Sequence, residues 1–144
     1  MSAVPLDSGV MRHYLSVDDL STAELPDLLD LAAALKADRG AHAQALAGRS
    51  IALIFEKPST RTRVSFEVAV HELGGYPLPL AGAELQLGRG ETLEDTAAVL
   101  SRYVHAIVLR TFAQESLERL ARGGTVPVVN ALSDYSHPCQ ALAD

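Results

Sequence analysis

Residues 51–63 read IALIFEKPSTRTR and are the most informative part of the sequence for the fold. The first five are all apolar, and a short apolar run is typical of a strand buried on both faces, as in a parallel sheet. Pro58 ends the run, and Ser59 is a residue type that often caps a helix. The stretch therefore predicts a buried strand that turns directly into a helix, as in α/β proteins.

Strand-like and helix-like segments alternate beyond this stretch. Further apolar runs predict strands at 76–80, 106–109 and 126–129, with helical patterns between them. Pro77 and Pro79 suit the second strand to a sheet edge, because proline lacks the N–H that an inner strand donates. The alternation predicts an α/β fold: a three-layer α/β/α domain around a four-stranded parallel sheet, open and doubly wound.

One helix is predicted before the first strand. Ser21 and Glu24 form a capping-box pattern. The helix after them would bury one apolar stripe, made of Leu25, Leu28, Leu29, Ala32 and Leu35. Residues 41–47 fit either a short helix or a loop, and residues 1–10 have the composition of a flexible tail. We therefore expect a single domain over 11–144.

Other helices are expected between the strands. The helix that starts at Ser59 would turn four side chains towards the sheet: Phe66, Ala69, Val70 and Leu73. Two more are expected over 92–103 and 114–122, and His137, followed by a proline, opens the last one. Residues 81–91 fit neither helix nor strand, and a loop of that length is usually functional or mobile.

Composition and charge exclude several classes of protein. The 144 residues are 48% hydrophobic and carry 12 Lys+Arg against 18 Asp+Glu, a net charge of −6. This balance is typical of a globular domain and argues against nucleic-acid binding through bulk charge. No apolar run approaches the ~20 residues of a membrane span, and residues 1–15 lack the apolar core of a signal peptide. One cysteine cannot form an internal disulfide, so we expect a soluble cytoplasmic protein.

Motifs for nucleotides and metals are missing. There is no P-loop pattern, and Gly88 and Gly90 lack the third glycine of a dinucleotide-binding turn. The five histidines are scattered without ligand spacing, so no metal site is indicated. Cys139 lies near a predicted helix start, which can activate a thiol, but a small buried thiol is the commoner outcome and the one we favour.

Polar residues follow three of the four predicted strands. Residues 56–63 follow the first strand, Arg110 and Thr111 follow the third, and Asn130 follows the fourth, ahead of residues 136–140. Ligands of open α/β sheets bind beyond the carboxyl ends of the strands, so these segments should share one rim. We therefore expect cations, hydroxyl groups and an imidazole to converge there.

Residues 59–62 are the strongest candidate site on this rim. A strand turns into a helix there, and helix N-termini present free N–H groups and a positive dipole end to anions. The hydroxyl groups add donors, and the guanidinium between them matches the geometry of a phosphate. The alternatives are a plain cap with a surface ion pair between Arg63 and Glu67, an ordinary exposed Arg110 and a structural His137. Convergence of three segments on one rim favours a binding site.

Three stretches, in this order, resemble the carbamoyltransferases. Residues 55–67 (FEKPSTRTRVSFE) resemble the family's phosphate-binding signature, residues 110–112 (RTF) its strand-end arginine, and residues 137–144 (HPCQALAD) its second signature. The resemblance covers the chain from about Met11 to Asp144. It implies transfer of the carbamoyl group of carbamoyl phosphate to an amine, with neither a metal nor an organic cofactor.

The resemblance also implies roles for individual residues. The phosphate of carbamoyl phosphate would be held by Ser59, Thr60, Arg61 and Thr62. Its carbonyl oxygen would be surrounded by Thr62, Arg110 and His137, and its amide would be contacted by Gln140. The implied catalytic residues are Arg61, Arg110 and His137, because preorganised donors stabilise the charge that grows on the carbonyl oxygen and the leaving phosphate.

Within the family, the loop at 81–91 favours the branch that uses ornithine. In the family this loop reaches a neighbouring subunit of a homotrimer, which would place Gln86 in another subunit's site. The aspartate branch presents a lysine from this loop, and residues 81–91 contain none. The family binds its amine in a second domain, outside 11–144, so this chain alone should not turn over ornithine. The alternatives are the aspartate branch and a non-catalytic anion-binding or trimer-forming module.

Overall fold

The computed structural model describes residues 11–85 and 90–144. The helices are α1 Glu24–Ala37, α2 Thr60–Glu72, α3 Leu93–Leu100, α4 Gln114–Gly123 and α5 Pro138–Ala143, with short 3₁₀ helices at Val17–Asp19 and Gly82–Glu84. The strands are β1 Ser50–Phe55, β2 Tyr76–Ala81, β3 Ala106–Arg110 and β4 Val128–Leu132. The tail expected at residues 1–10 lies outside the described residues. In the described ranges, no helix combines the length and apolar character needed to cross a bilayer.

The four strands form the predicted parallel sheet, and their order in it is β2-β1-β3-β4. The predicted edge position of β2 is confirmed. The Tyr76 N–H donates to the Arg49 carbonyl at 2.8 Å, on the β1 side of the strand. Alternate residues of a strand point their N–H groups to the same side. The backbone nitrogens of Pro77 and Pro79 therefore face the open edge of the sheet, where no neighbouring strand requires an N–H donor.

Helices cover both faces of the sheet. On one face, α3 and α4 pack against a core that includes Ala52, Ile54, Ile107, Leu109, Leu117 and Leu120. On the other face, α2 packs against a core that includes Ile51, Leu53, Val70, Val108 and Ala131. Neighbouring residues of β1 thus belong to opposite cores, as the two-residue period of a strand requires. The predicted three-layer α/β/α arrangement is confirmed.

The first helix, α1, forms where its capping box predicts. The Ser21 N–H donates to the Glu24 carboxylate at 2.8 Å, and the Glu24 N–H donates to the Ser21 hydroxyl at 3.1 Å. The predicted buried stripe is wrong, since α1 buries none of its residues and both Leu29 and Ala32 are exposed. Sequence spacing places these side chains on one helix face, but burial also needs an element to cover that face.

The helix α2 begins with its predicted cap and packs on the sheet less broadly than expected. Phe66 and Val70 join the core, and Leu73 is partly buried. Ala69, expected to face the sheet, is exposed. A helix that lies against one sheet face contacts it along a narrow stripe, and Ala69 lies at the margin of that stripe.

Residues 41–47 form successive turns rather than a helix, which resolves the alternative that the sequence leaves open. The Leu46 N–H donates to the Leu73 carbonyl at 2.7 Å, so these turns are tied to the end of α2. Gly74 has a φ of 86°, and a Cβ there would lie 2.3 Å from the carbonyl oxygen of Ala43. The close approach of the turns to α2 therefore requires glycine.

The strand β4 begins two residues later than predicted, at Val128. Asn130, expected after the strand, lies inside it and is 0% exposed. Its Nδ2 donates to the carbonyls of Leu15 at 2.9 Å and Ser136 at 3.3 Å. A polar side chain can occupy a buried strand position when such partners are present, and here they come from segments that the strand pattern does not reveal.

Residues 13–15 lie along the outer edge of β4, a pairing that sequence periodicity does not indicate. Tyr14 pairs in parallel with Val129, and its N–H donates to the Val128 carbonyl at 2.8 Å. The Nδ1 of His13 accepts from the Val128 N–H at 3.0 Å. These contacts satisfy part of an edge that would otherwise expose unpaired backbone groups.

Candidate anion-binding site

The N-terminus of α2 follows directly from the carboxyl end of β1. Ser59 caps the helix, since its Oγ accepts from the Thr62 N–H at 3.3 Å. The same hydroxyl donates to the Oγ1 of Thr62 at 3.1 Å. No acidic residue lies in the first turn of α2. By helix geometry, the N–H groups of Thr60 and Arg61 have no intrahelical partner, so this end of the helix offers donors and a positive dipole end.

Arg110 ends β3 and points one nitrogen at this helix cap. Its Nη1 donates to the Oγ1 of Thr62 at 3.0 Å, across 48 residues of sequence. Its Nε is buried and has no hydrogen-bond partner among the described residues. A buried guanidinium N–H without a partner is costly unless a ligand or water accepts from it. Arg110 is therefore not an ordinary exposed arginine, and its unpartnered Nε is a candidate donor to a ligand.

His137 occupies the N-cap position of α5, where the positive charge of Arg110 acts on it. Its Nδ1 is buried without a hydrogen-bond partner in the described part of the chain. Burial lowers the pKa of His137, the nearby positive charge of Arg110 lowers it further, and Asp144 acts in the opposite direction. A lowered pKa keeps the imidazole neutral near pH 7, with one N–H to donate.

The other predicted site residues lie less close together. Gln140 is exposed, and its Nε2 donates to the Oδ1 of Asp144 at 2.9 Å. Arg61 is exposed and lines a cleft of about 650 Å³ on the outer side of α2, next to Val64 and Val68. The structure thus joins the helix cap to Arg110 by a hydrogen bond and places His137 within the electrostatic reach of Arg110, whereas Gln140 and Arg61 are exposed at the margin. Gln86 lies outside the described residues.

The surface ion pair considered as an alternative is also present. Arg63 Nε lies 3.6 Å from Glu67 Oε1, one helical turn away.

Thr60 borders two clefts, one on each side of the helix start. The first of these has a volume of about 680 Å³ and lies between the carboxyl ends of β1 and β2, with Phe55, Ser59 and Gly82 among its walls. That volume suits a small-molecule ligand.

Sequence reasoning missed several polar contacts that build the rim. Thr111 is 1% exposed and donates a hydrogen bond to the carboxylate of Glu56. Lys57 forms an ion pair with Asp134, with Nζ and Oδ1 2.7 Å apart. Glu56 and Lys57 lie in the strand-to-helix stretch, so the sequence offered a signal for them. Their partners are 55 and 77 residues away, and nothing in the sequence pattern links them.

Cys139 is a free, half-buried thiol. Its Sγ lies 3.6 Å from the carbonyl oxygen of Asn130, to which it donates. Burial raises its pKa to about 11. A thiol with such a pKa stays protonated at neutral pH and is a poor nucleophile, which supports the small buried thiol that we favour from the sequence.

The donors at this rim suit an anion that also carries a carbonyl group. Hydroxyl and N–H donors at the start of α2 fit phosphate oxygens. The guanidinium of Arg110 and the neutral imidazole of His137 can both donate to an oxygen on which negative charge develops. Among the described residues, no three His, Cys, Asp or Glu side chains are grouped to hold a metal ion.

Comparison with known proteins identifies the family. Residues 12–144 match the family described as aspartate/ornithine carbamoyltransferase, carbamoyl-P binding domain. The ornithine carbamoyltransferase of Parafrankia sp. is 64% identical over 136 residues, which cover 92% of this chain and 43% of that protein. The enzyme of the same name from Acidothermus cellulolyticus is 62% identical over 135 residues, covering 94% of this chain and 43% of that protein.

Solved structures with the same fold include two ornithine carbamoyltransferases. The structure from Pyrococcus furiosus has a TM-score of 0.86 and 52% identity, covering 92% of this chain and 43% of that one. The structure from Thermus thermophilus has a TM-score of 0.87 and 45% identity, covering 94% of this chain and 47% of that one. The chain thus spans less than half the length of these relatives. It belongs to the aspartate/ornithine carbamoyltransferase family and carries the family's carbamoyl-phosphate-binding domain.

Proposed function

We propose that this chain is the carbamoyl-phosphate-binding half of an ornithine carbamoyltransferase that serves arginine biosynthesis in the cytoplasm. Such an enzyme transfers the carbamoyl group of carbamoyl phosphate to the side-chain amine of ornithine and produces citrulline and phosphate. One observation supports the proposal most strongly. Arg110 donates to Thr62 beside the Ser59-capped start of α2, so phosphate donors and a carbonyl donor lie side by side.

The chemistry assigns a role to each part of the rim. The amine nitrogen forms a C–N bond to the carbamoyl carbon, the C–O bond to phosphate breaks, and the amine proton leaves with the phosphate. In our proposal the leaving phosphate is held by Ser59, Thr60, Arg61 and Thr62. The carbonyl oxygen accepts from Thr62, Arg110 and His137, whose donors stabilise its negative charge in the tetrahedral intermediate. Neutral His137 can donate one N–H to that oxygen.

Two of the proposed ligand contacts require a side chain to change its partner or orientation. Gln140, proposed to contact the carbamoyl amide, must exchange its hydrogen bond with Asp144 for one to the ligand. Arg61 is exposed and must turn from the outer cleft of α2 towards the phosphate. Exposed side chains make such changes at small cost, because they leave one solvated arrangement for another.

The amine substrate is the part of the proposal that rests on the relatives' names. Those relatives are called ornithine carbamoyltransferases, and more than half of their length has no counterpart in this chain. We place ornithine binding in that remaining length.

Calorimetry and a product assay test the proposed function together. The chain is expected to bind carbamoyl phosphate and, more weakly, inorganic phosphate, since the helix start serves both and Arg110 and His137 serve only the first. With ornithine added, it should form no citrulline. An absence of heat with either ligand would contradict the binding site, and citrulline formation by this chain would contradict the placement of ornithine binding. The two branches are distinguished on a full-length enzyme that carries this domain: citrulline formed from ornithine supports the proposal, and carbamoyl aspartate formed from aspartate would favour the aspartate branch.

The proposal includes a homotrimer in which the loop carrying Gln86 completes a neighbouring site. The outer face of α2 is a candidate for the surface between subunits. Val64 is 50% exposed and Val68 is 38% exposed on this face, and both lie next to Arg61. Adjacent exposed apolar side chains commonly mark surfaces that a protein partner covers.

Sedimentation equilibrium tests the trimer directly. The expected mass is three times the 15.3 kDa of one chain. Val64→Asp should shift the mass to that of the single chain, because a carboxylate would be buried without a partner. Val99→Asp is the matched control: Val99 is 53% exposed on α3, away from this face, and its substitution should leave the mass unchanged. A single-chain mass for the unchanged protein would contradict the trimer.

A further inference from the structure

Lys57 lies in the connection between β1 and α2 and contacts two other connections of the sheet. Its Nζ lies 2.7 Å from Oδ1 of Asp134, which follows β4. The same Nζ lies 4.7 Å from the centre of the ring of Phe112, which follows β3. One ammonium group therefore makes an ion pair and a cation–π contact with two loops that are far apart in sequence.

These contacts join parts of the rim that the sheet does not join. Hydrogen bonds already link neighbouring connections: the Glu56 N–H donates to the Arg110 carbonyl at 2.9 Å, and the Asp134 N–H donates to the Phe112 carbonyl at 2.7 Å. β1 and β4 are not neighbours, because β3 lies between them. The Lys57 side chain passes over the connection after β3 and links the connection after β1 directly to the connection after β4.

Each of the three connections leads to part of the anion site. The first ends at Ser59, which caps α2, the second follows Arg110 at the end of β3, and the third ends at His137. We propose that Lys57 is a positioning residue, whose paired contacts with Asp134 and Phe112 hold these three connections in the arrangement that binds carbamoyl phosphate. This inference rests on the proposed function. We call these three residues, Lys57, Phe112 and Asp134, the rim clamp.

The alternative role for Lys57 is direct contact with the ligand phosphate, and the geometry separates the two. In the structure the ammonium is engaged by a carboxylate and an aromatic face, so its charge is directed at the protein. If Lys57 acted on the ligand, removal of the Asp134 carboxylate would free it and preserve or strengthen anion binding. If Lys57 acts through the rim clamp, removal of either partner should weaken binding in the same way.

Three variants and one control test the rim clamp by calorimetry with carbamoyl phosphate. Lys57→Met keeps most of the apolar stem, and Asp134→Asn keeps the shape of the side chain. Lys57→Met removes both contacts and should raise the Kd about tenfold, and Asp134→Asn removes the ion pair alone and should raise it about fivefold. The double variant should bind no more weakly than Lys57→Met, because Lys57→Met already removes the ion pair with Asp134. Lys36→Met is the matched control: the chain has two lysines, Lys36 lies on exposed α1, and its substitution should not change the Kd.

Rescue and a spectroscopic signal separate positioning from general destabilisation. Lys57→Arg keeps the positive charge and the contact with an aromatic face, so its Kd should stay within about threefold of the original. In the ligand-free protein, the imidazole NMR signals of His137 should move in Lys57→Met and in Asp134→Asn, and stay in place in Lys36→Met. Asp134 is 62% exposed at its side chain, so Asp134→Asn is expected to fold even if Lys57→Met does not.

The outcomes that overturn the rim clamp differ from those that overturn the proposed function. Unchanged binding in Lys57→Met, or unchanged binding in Asp134→Asn when Lys57→Met is weakened, overturns the clamp, and the second result assigns Lys57 to the ligand. If the unchanged protein binds no carbamoyl phosphate, the proposed function has failed. The His137 signals then decide about the clamp alone, and signals that stay in place in both variants overturn it.

Discussion

Replacing Arg110 with methionine is expected to weaken carbamoyl phosphate binding about a hundredfold. Hydrogen bonds to a charged group contribute about 1.5–3 kcal/mol, and every 1.4 kcal/mol corresponds to about tenfold in affinity. Arg110 is the donor that links the cap of α2 to the end of β3, through the 3.0 Å contact of its Nη1 with Thr62. Methionine keeps the unbranched stem and removes every donor, so the loss reports the guanidinium rather than the packing.

Calorimetry measures the Kd, and two further variants serve as a control and as a charge-preserving replacement. Arg102→Met removes an exposed arginine in the turn after α3 and should leave the affinity unchanged. Arg110→Lys should recover only part of the loss, because an ammonium group cannot reproduce the planar fork of a guanidinium. An affinity for Arg110→Met within about threefold of the original would mean that the ligand does not contact this end of β3.

Replacing Leu53 with alanine is expected to lower the free energy of unfolding by about 2–5 kcal/mol. Leu53 is 0% exposed in the central strand β1, where it pairs with Pro79 on one side and Val108 on the other. Its side chain fills the core between the sheet and α2. Truncation removes apolar contacts and leaves a cavity that strands on both sides prevent from collapsing.

Urea unfolding followed by circular dichroism measures this loss, with Leu29→Ala as the matched control. Leu29 is the same residue type on α1 but is 42% exposed, so its truncation should cost less than about 1 kcal/mol. Equal losses for the two variants would contradict the burial that separates them. Because small domains are stable by only about 5–15 kcal/mol, the loss at Leu53 is a large part of the total.

Three of the four strands match their predicted runs to within one residue at each end: β1, β2 and β3. The central strands β1 and β3 need apolar side chains on both faces, which gives them a clear apolar run, and the prolines of β2 are compatible with its place at the edge. The run predicted for β4 begins two residues and ends three residues before the observed strand. The polar Asn130 looks like a strand end, and only the carbonyls of Leu15 and Ser136 make it suitable for a buried strand position.

The errors in predicted burial have a related cause. The spacing of leucines in α1 is that of an amphipathic helix, and the helix forms, but none of its residues is buried. Ala69 in α2 is likewise exposed. Periodicity states which side chains share a face of a helix, whereas burial depends on what lies opposite that face.

Residue types and their order along the chain were enough to predict the parallel sheet and the rim that carries Ser59, Thr62, Arg110 and His137. Both follow from local rules: apolar runs form buried strands, and ligands collect where parallel strands end. The contacts from Arg110 to Thr62 and from Lys57 to Asp134 and Phe112 come from the folded chain alone. Each joins residues about 50–80 positions apart, as strand order and register dictate, and no local pattern in a sequence encodes such a distance.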